Sequence, residues 1–355
     1  MENVDALVIG GGQSGLAAAH ALRASGLAPV IAEASDRPVG SWPRYYDSLT
    51  LFSPARYSAL PGLPFDGDPD RYPRRDEVVD YLQRYADRLD ADIRTRTRVQ
   101  SVTADGPHYI AHLTGGRTLA ARVVVAATGG FSRPHRPALP GLDTFTGTVL
   151  HAADYRTPAP FTGKRVIVVG GGNSAVQIAV ELADHARVTL TTREPIKFVP
   201  QRPLGRDLHF WFRATGIDTL PIGHWIARRN GKPPTVPVFD DGRYRAALAA
   251  GRPDRRPMFT GIDGPTVTWP DGAREDVEAI LLATGYRPDL DYLALLGALS
   301  ADGHPVHKGG LSTICPGVGY VGLEWQRSLS SASLRGVGRD AAHIAPRLAR
   351  LAACG

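Results

Sequence analysis

The chain has 355 residues, of which 43% are hydrophobic and 21% are charged, and its formal net charge is +6. This length allows two domains with sizeable cores, and the composition is typical of a soluble globular protein. The arginines are spread along the chain rather than gathered in a tail. Anionic cofactors are enough to explain the mild positive charge, so no nucleic-acid partner is expected.

Two cysteines without a CxxC spacing argue against a disulfide framework, a zinc site and a redox-active dithiol. No apolar run approaches the roughly 18 residues that a membrane span needs, so no membrane partner is expected. The first predicted strand starts within a few residues of Met1, which leaves no room for a signal peptide. We therefore expect a cytoplasmic protein.

A glycine-rich turn between a strand and a helix is predicted at residues 6–15, ALVIGGGQSG. The short apolar run favours a strand buried on both faces of a parallel sheet, and a helix is predicted at residues 16–24. Gly10 permits the tight turn, Gly12 lets a pyrophosphate approach the backbone, and Gly15 lets the helix pack closely on the strand. The pyrophosphate would meet the free N–H groups and the positive end of the helix dipole.

The second strand of this unit ends at an acidic residue, Glu33, close to the expected distance beyond the glycines. A carboxylate at this place can accept hydrogen bonds from the ribose of an adenosine. The alternative is a solvated glutamate at the end of a strand.

The chain then passes through a segment of mixed composition, residues 38–73, which is rich in Pro, Tyr, Ser and Gly. Long segments without periodicity are usually functional or disordered, and the many aromatic residues favour a functional segment. A helix is predicted at residues 75–89, with short strands at 98–103 and 109–113. A buried strand is predicted at residues 122–129 and ends in Thr128-Gly129.

Residues 145–156, FTGTVLHAADYR, join this half to a second copy of the glycine pattern. In residues 166–175, VIVVGGGNSA, Gly170 and Gly172 repeat the first two glycines and Ala175 takes the third place; a helix is predicted at 176–184. One such motif is a weak signal, but two in the same strand–turn–helix context strongly favour nucleotide binding. The alternative is two glycine-rich turns without a ligand.

The second strand of this unit, residues 187–191, is followed by Thr192, Arg193 and Glu194, with no acid where Glu33 stands in the first unit. The planar guanidinium of an arginine suits a phosphate, and a threonine adds a hydroxyl donor, so this turn favours NADPH over NADH. In the alternative, Arg193 pairs with Glu194 or with solvent, and Glu194 serves NADH.

The remainder contains a segment rich in Pro, Arg and aromatic residues (198–257), a hairpin (265–276), a strand with ATGY at its end (277–286) and a terminal helix (340–351). The aromatic residues at 210–212 and Trp225 are expected to pack in a core or an interface, and the alternative is that they line a substrate entrance. The two strands that end in Thr-Gly bracket an insertion. We expect an α/β protein with two Rossmann-like domains, in which residues 152–286 are inserted into a domain formed by residues 1–148 and 288–355.

With these motifs placed, the chain resembles the group B flavoprotein monooxygenases, which include flavin-containing, Baeyer–Villiger and N-hydroxylating enzymes. The resemblance covers essentially the whole chain, and its small size resembles compact bacterial flavin-containing monooxygenases. The linker ends in Tyr155-Arg156, which is closer to the flavin-containing type than to the Baeyer–Villiger type. The matching parts are GGGQSG, Gly40-Ser41-Trp42, the linker pattern Phe145, Gly147, His151 and Tyr155, GGGNSA, and Ala283-Thr284-Gly285-Tyr286.

The resemblance implies FAD on the first motif and NADPH on the second, with NADH as the alternative. Family members reduce FAD with NADPH and hold a C4a-hydroperoxyflavin, which oxygenates a small organic substrate with O2 as co-substrate. The resemblance places Trp42 and the stretch around Leu51 and Phe52 near the isoalloxazine ring. It gives the linker a role in domain orientation. A homodimer is the general expectation for such an enzyme.

Two residues are candidates for a catalytic role, His151 and Phe52, although the flavin would carry the chemistry and a linker histidine is commonly a packing residue. The nearest match to the last FAD motif of the family is Gly322-Leu323-Glu324-Trp325. In this motif either Glu324 takes the place of the family's aspartate, or the backbone N–H groups of residues 325–333 serve instead. No metal site is expected. The residues assigned to cofactor binding are Gly10, Gly12, Gln13, Ser14, Gly15, Glu33, Gly40, Ser41, Trp42, Leu51, Phe52, Val99, Thr128, Gly129, Glu324, Gly170, Gly172, Asn173, Ser174, Thr192, Arg193, Thr284, Gly285 and Tyr286.

Three functions remain open at this stage. The first is a monooxygenase that acts on sulfur or nitrogen or inserts oxygen beside a ketone, and the linker favours it. The second is a flavin reductase or oxidase that releases hydrogen peroxide. The third is a nucleotide-binding redox sensor without turnover, which would be expected to lack a phosphate-binding glycine, and none is missing.

Overall fold

The computed structural model describes residues 1–223 and 237–354, so the predicted role of Trp225 lies outside the described residues. The helices are α1 (Gln13–Ala24), α2 (Arg75–Arg88), α3 (Asn173–Leu182), α4 (Leu208–Thr215), α5 (Arg243–Ala249) and α6 (Leu334–Cys354). The strands are β1 (Glu2–Ile9), β2 (Pro29–Ala32), β3 (Asp92–Arg94), β4 (Val99–Asp105), β5 (His108–Leu113), β6 (Thr118–Ala126), β7 (Arg133–Pro134), β8 (Thr148–His151), β9 (Arg165–Val169), β10 (Arg187–Thr192), β11 (Phe198–Pro200), β12 (Val238–Asp240), β13 (Asp254–Pro257), β14 (Gly261–Asp263), β15 (Thr266–Thr268), β16 (Arg274–Asp276), β17 (Ala279–Leu282), β18 (Tyr286–Arg287), β19 (His307–Lys308), β20 (Leu311–Ser312) and β21 (Val318–Tyr320).

The first sheet has a run of parallel strands in the order β3-β2-β1-β6-β21. The antiparallel hairpin β4–β5 continues from β6, and β19–β20 continue from β21. One face packs against α1, α2 and α6, and the other face is covered by the hairpin and by residues 290–299. Both faces are therefore buried, which explains why residues 6–9 of β1 form a continuous apolar run rather than an alternating one.

The second sheet repeats this plan with the parallel order β13-β10-β9-β17-β8. One face packs against α3 and α5, and the other face packs against the small antiparallel sheet β14–β15–β16. All its strands fall between β6 and β19 of the chain, so the second unit is inserted into the first. The predicted α/β fold with two Rossmann-like domains is confirmed.

Strand pairing also bears on the domain boundaries. The strand β8 lies inside the predicted linker and pairs with β17, so residues 148–151 belong to the second sheet. Leu139, Leu142 and Phe145 also pack against the core of that sheet, upstream of the predicted boundary at 152. The boundaries 1–148, 152–286 and 288–355 remain a prediction, and these contacts favour an earlier start for the inserted domain.

Several elements begin earlier than the sequence predicted. The helices α1 and α3 start directly after the last glycine of each turn rather than three residues later, because Gly12 and Gly172 act as the N-caps. The terminal helix α6 starts at Leu334 rather than at residue 340, despite Gly336 and Gly338 in its first turns. A Cβ at Gly336 would lie 1.9 Å from the Ser330 carbonyl oxygen, so close packing selects this glycine inside the helix.

The contact between α1 and the glycine turn provides a test of the packing. A Cβ on Gly15 would lie 1.8 Å from the carbonyl oxygen of Gly10. Alanine is the better helix former, so propensity alone would stabilise Gly15→Ala by about 1 kcal/mol. We expect the steric conflict to dominate and to lower the free energy of unfolding by about 1–3 kcal/mol in chemical denaturation.

The matched control is Gly130→Ala, since that glycine has an ordinary φ and no atom within 4 Å of the added Cβ. We expect this variant to unfold within about 0.5 kcal/mol of the wild type. A Gly15→Ala protein that is as stable as the control would contradict the packing of α1 on the turn.

Candidate active site

The first glycine turn leaves the N-terminus of α1 open to an anion. Gly10 adopts φ +104°, and its N–H donates to the Ala32 carbonyl at 2.8 Å. Gly12 is the N-cap, no side chain caps the helix, and no acidic residue lies in its first turn. The first N–H groups therefore lack a capping partner, which fits a bound pyrophosphate.

Gly12 lies directly against the backbone of Gly40. A Cβ on Gly12 would lie 3.1 Å from the Gly40 Cα, and a Cβ on Gly40 would lie 2.9 Å from the Gly12 Cα. The sequence explained Gly12 by the approach of a pyrophosphate, and the structure adds the approach of a second loop. This contact places Gly40, Ser41 and Trp42 beside the start of α1.

Glu33 is buried and held by the turn itself. Its Oε2 accepts a hydrogen bond from the Gly11 N–H at 2.5 Å, and its Oε1 accepts from the Ser35 N–H and hydroxyl, both at 2.7 Å. The carboxylate is therefore fixed at the end of β2, beside the glycine turn. This is the place where the sequence expects the ribose of an adenosine.

Three distant segments meet at the start of α1. The Trp42 indole N–H donates to Gln13 Oε1 at 3.1 Å, and Gln13 Nε2 donates to the Ala332 carbonyl at 2.9 Å. A Cβ on Gly322 would lie 2.0 Å from Ser14 Oγ, so the tail of the chain also packs closely here. The predicted residues Gln13, Ser14 and Trp42 thus come together.

The remaining first-unit residues divide by what their side chains contact. Thr128 donates to the Asp289 carbonyl at 3.1 Å, and Gly129 follows with φ +75°. Val99 is buried in the core under the sheet, so its side chain is not available to a cofactor and only its backbone is.

Glu324 is open to solvent on one side, yet the protein around it desolvates the carboxyl and raises its pKa. Ser41 pairs with Tyr45 at 2.9 Å.

Leu51 and Phe52 face in different directions. Leu51 packs against the core of the first domain. The ring of Phe52 stacks on Phe239 of the inserted domain, with centroids 4.7 Å apart and planes 2° from parallel. Its carbonyl accepts a hydrogen bond from Gln201 Nε2 at 2.9 Å. Phe52 is therefore an interdomain contact, and its proximity to a flavin stays a prediction.

The second glycine turn has the same construction and a more open surface. Gly170 adopts φ +142°, and its N–H donates to the Thr191 carbonyl at 3.0 Å. Gly172 is the uncapped N-cap of α3, and a Cβ added to it would meet no atom within 4 Å. Open space therefore lies where the sequence expects the second pyrophosphate. Ser174 is partly buried in the first turn of α3.

The side chain of Asn173 is already engaged within the protein. Its Nδ2 donates to the Pro237 carbonyl at 3.2 Å, and its Oδ1 accepts from the Phe239 N–H at 3.1 Å. These two bonds fix β12 beside α3. The backbone N–H of Asn173, at the uncapped start of α3, fits the predicted contact with a nucleotide.

Arg193 follows Thr192 at the end of β10 and is exposed. Within the described part of the chain it forms no ion pair, so the predicted alternative of a bond to Glu194 is not seen. The pKa of His135 is lowered by burial and by the positive charges of Arg287 and Arg193. Arg193 therefore contributes to a positive region at this edge of the second sheet.

His151 is fully buried, and both of its ring nitrogens are used. Its Nδ1 accepts from the Ala153 N–H at 3.0 Å, and its Nε2 lies 3.1 Å from the Gly285 carbonyl, which makes it the donor. Burial lowers the pKa of the ring, in keeping with the neutral form. Tyr286 packs edge-on at 5.0 Å, and the Thr284 hydroxyl donates to the His135 carbonyl. This geometry favours a packing and hydrogen-bonding role for His151 over acid–base catalysis.

Comparison with known proteins identifies the family. The model of the pyridine nucleotide-disulphide oxidoreductase family matches residues 7–206. An uncharacterized oxidoreductase of Geobacillus kaustophilus is 32% identical over 347 residues, covering 96% of this chain and 97% of the relative. A flavin-containing monooxygenase from Stenotrophomonas maltophilia superposes with a TM-score of 0.86 at 33% identity, over 100% of both chains. The chain belongs to the group B flavoprotein monooxygenases. An indole-3-pyruvate monooxygenase of Oryza sativa is 31% identical, over 80% of this chain and 77% of that protein.

The monooxygenase also contains a polar cluster that the sequence did not reveal. Asp207 Oδ2 accepts from the Tyr72 hydroxyl at 2.5 Å and from Gln201 Nε2 at 2.8 Å, and its Oδ1 accepts from the His209 N–H and Nδ1, both at 2.8 Å. Burial would raise the pKa of Asp207, but these hydrogen bonds lower it overall. Asp207 is the N-cap of α4. Its contact with Tyr72, 135 residues away, carries no local signal in the sequence.

His209 is the other half of this cluster. Burial lowers the pKa of the ring, and its Nδ1 donates to Asp207, so its Nε2 is an acceptor. That Nε2 is buried without a hydrogen-bond partner among the described residues. In residues 1–223 and 237–354, no group of three or more potential ligands could hold a metal ion, and no helix is long and apolar enough to span a membrane.

The two glycine turns yield a paired prediction. We expect Gly12→Val to purify largely without flavin, because the branched side chain conflicts with Gly40 and fills the pyrophosphate space. We expect Gly172→Val to keep its flavin and to lose at least about tenfold in affinity for the nicotinamide nucleotide, because its side chain enters open space.

Flavin content is read from the absorbance of the purified proteins, and nucleotide affinity from titration. Gly172→Val also serves as the control for folding, since both variants place valine at an equivalent N-cap. Full flavin occupancy in Gly12→Val, or unchanged nucleotide affinity in Gly172→Val, would show that the corresponding turn does not bind a pyrophosphate.

Proposed function

We propose that this monooxygenase binds FAD on the first glycine turn and NADPH on the second, and uses O2 to oxygenate a small organic substrate at sulfur, at nitrogen or beside a ketone. The observation that carries this proposal is the presence of two glycine turns of the same construction, both with uncapped helix N-termini, one in each domain. When bound, the flavin would supply the electron transfer and the activation of O2.

The first turn suits FAD better than FMN. The start of α1 offers free N–H groups to a pyrophosphate, and Glu33 lies beside them with a carboxylate for a ribose. FMN lacks both the pyrophosphate and the adenosine. Trp42 and the loop 40–42 would cover this part of the cofactor and help to exclude water from it.

Disulfide reduction, which the name of the matched family suggests, does not fit the cysteines of this chain. The sequence has only Cys315 and Cys354, far from a CxxC pair. Cys315 is buried, its thiol donates to the Leu296 carbonyl, and burial raises its pKa. A thiol held in this form is a weak nucleophile.

Thioanisole tests the oxygenation. With NADPH and air, we expect methyl phenyl sulfoxide to form in step with NADPH consumption, and hydrogen peroxide to account for only a minor part of it. Catalase added to parallel reactions identifies sulfoxide that arises from free peroxide. Peroxide produced in stoichiometric amounts across a panel of sulfides, amines and ketones would instead assign the protein as an NAD(P)H oxidase.

Arg193 tests the choice of nucleotide. We expect the wild type to prefer NADPH, and we expect Arg193→Ala to lose about ten- to a hundredfold in kcat/KM for NADPH while NADH changes little. The reason is that a charge-assisted contact with the 2′-phosphate contributes about 1.5–3 kcal/mol.

Arg187→Ala is the matched control, because Arg187 is exposed on the same strand at its opposite end. Its ratio of kcat/KM for the two nucleotides should equal that of the wild type. A wild type that prefers NADH, or an unchanged ratio in Arg193→Ala, would remove the 2′-phosphate site from the proposal.

A further inference from the structure

A surface groove of about 490 Å³ lies between a loop of the first domain and the helix α4 of the inserted segment. This volume is within the range of small-molecule sites. The groove is lined by Arg56 and Tyr57 on one side, and by Phe210, Arg213 and Ala214 on the other. Two aromatic rings and two guanidinium groups thus share one concave surface.

The charge in and around this groove is positive. Arg213 is exposed and forms no ion pair within the described residues, and the guanidinium of Arg206 lies 4.6 Å from the ring centroid of Phe210. The acids nearby are already occupied. Asp70 pairs with Arg56 at 2.7 Å, and Asp207 accepts the four hydrogen bonds described above. An anion is the complementary ligand for this surface.

A row of rings leads from the groove into the protein. Tyr57 stacks with His209 at 6.5 Å between centroids, His209 stacks with Phe52 at 6.1 Å, and Phe52 stacks on Phe239 at 4.7 Å. Phe52 belongs to the stretch that the sequence places beside the flavin. The groove is therefore linked through aromatic contacts to Phe52, whose place beside the flavin is a prediction.

We propose that this groove binds aromatic carboxylates and that the enzyme prefers such anionic aromatic substrates over neutral or cationic ones. Tyr57 and Phe210 contact the ring, and Arg213, assisted by Arg56, binds the carboxylate. The inference rests on the proposed oxygenation and adds a substrate class to it. It is carried by the juxtaposition of Arg213, which forms no ion pair within the described residues, with the two rings.

Three aryl sulfides that differ in charge provide the test. (Phenylthio)acetate is anionic, thioanisole is neutral and 2-(phenylthio)ethylamine is cationic, and all present the same sulfur and ring. We expect kcat/KM to be highest for the anion. We expect Arg213→Gln to lower kcat/KM for the anion about three- to tenfold, as suits an exposed charge, and to leave thioanisole unchanged. Raising the salt from about 0.05 to 0.5 M should reduce the preference for the anion.

Arg274→Gln, an exposed arginine on the β16 hairpin, is the control and should behave as the wild type with all three sulfides. Calorimetric titration of the flavin-loaded enzyme with (phenylthio)acetate, without NADPH, measures the affinity of the groove for this anion independently of turnover. Binding that weakens in Arg213→Gln supports the groove even where no sulfide is oxygenated, an outcome that would contradict only the proposed function. Equal kcat/KM for the three sulfides, or equal losses for anion and thioanisole in Arg213→Gln, would overturn the inference.

Discussion

The structure depends on a close approach of backbones that occurs once in each domain. A Cβ on Gly10 would lie 2.8 Å from the carbonyl oxygen of Ala127, and a Cβ on Gly170 would lie 2.3 Å from that of Ala283. The N–H groups of these two alanines donate to the carbonyl at the end of the strand before each glycine turn. Ala127 donates to Ile9 of β1 at 2.9 Å, and Ala283 donates to Val169 of β9 at 2.8 Å. Glycine alone permits this approach, and the approach brings each helix N-terminus to the edge where the Thr-Gly segment leaves the sheet. The repeated sequence thus encodes a repeated contact.

The two copies differ in how they are covered, and the difference suits two kinds of ligand. The N-cap glycine of the first turn, Gly12, meets the backbone of Gly40, and Trp42 and the tail of the chain close around it. The N-cap glycine of the second turn, Gly172, faces open space. An enclosed site slows dissociation, whereas an open site lets a ligand exchange. This contrast accords with a retained flavin and a nicotinamide nucleotide that exchanges in every turnover.

Sequence patterns predicted the parts of the fold that depend on residues close together in the chain. The apolar runs before GGGQSG and GGGNSA specified buried parallel strands, and the order of the elements specified the insertion. The start of α6 was missed because Gly336 disfavours a helix locally, while its packing on Ser330 is a tertiary contact. The engagement of Asn173 with β12 and of His151 Nε2 with the Gly285 carbonyl was missed for the same reason. Their partners lie 64 and 134 residues away, and sequence patterns do not report such distances.

The contacts between the domains were the least predictable, and several of them are polar. Asp207 accepts a hydrogen bond from the hydroxyl of Tyr72. Asp218 forms an ion pair with Arg335 at 3.0 Å, and both of these side chains are mostly buried. A buried ion pair adds little net stability because desolvation offsets its attraction, but removing one partner leaves an uncompensated charge, at a cost of about 3–5 kcal/mol. Apolar surfaces can slide past each other, whereas such pairs fix one relative position. Because hydride transfer between two cofactors requires contact between their reacting atoms, a polar interface that fixes the domains is better suited to this enzyme than an apolar interface of the same area.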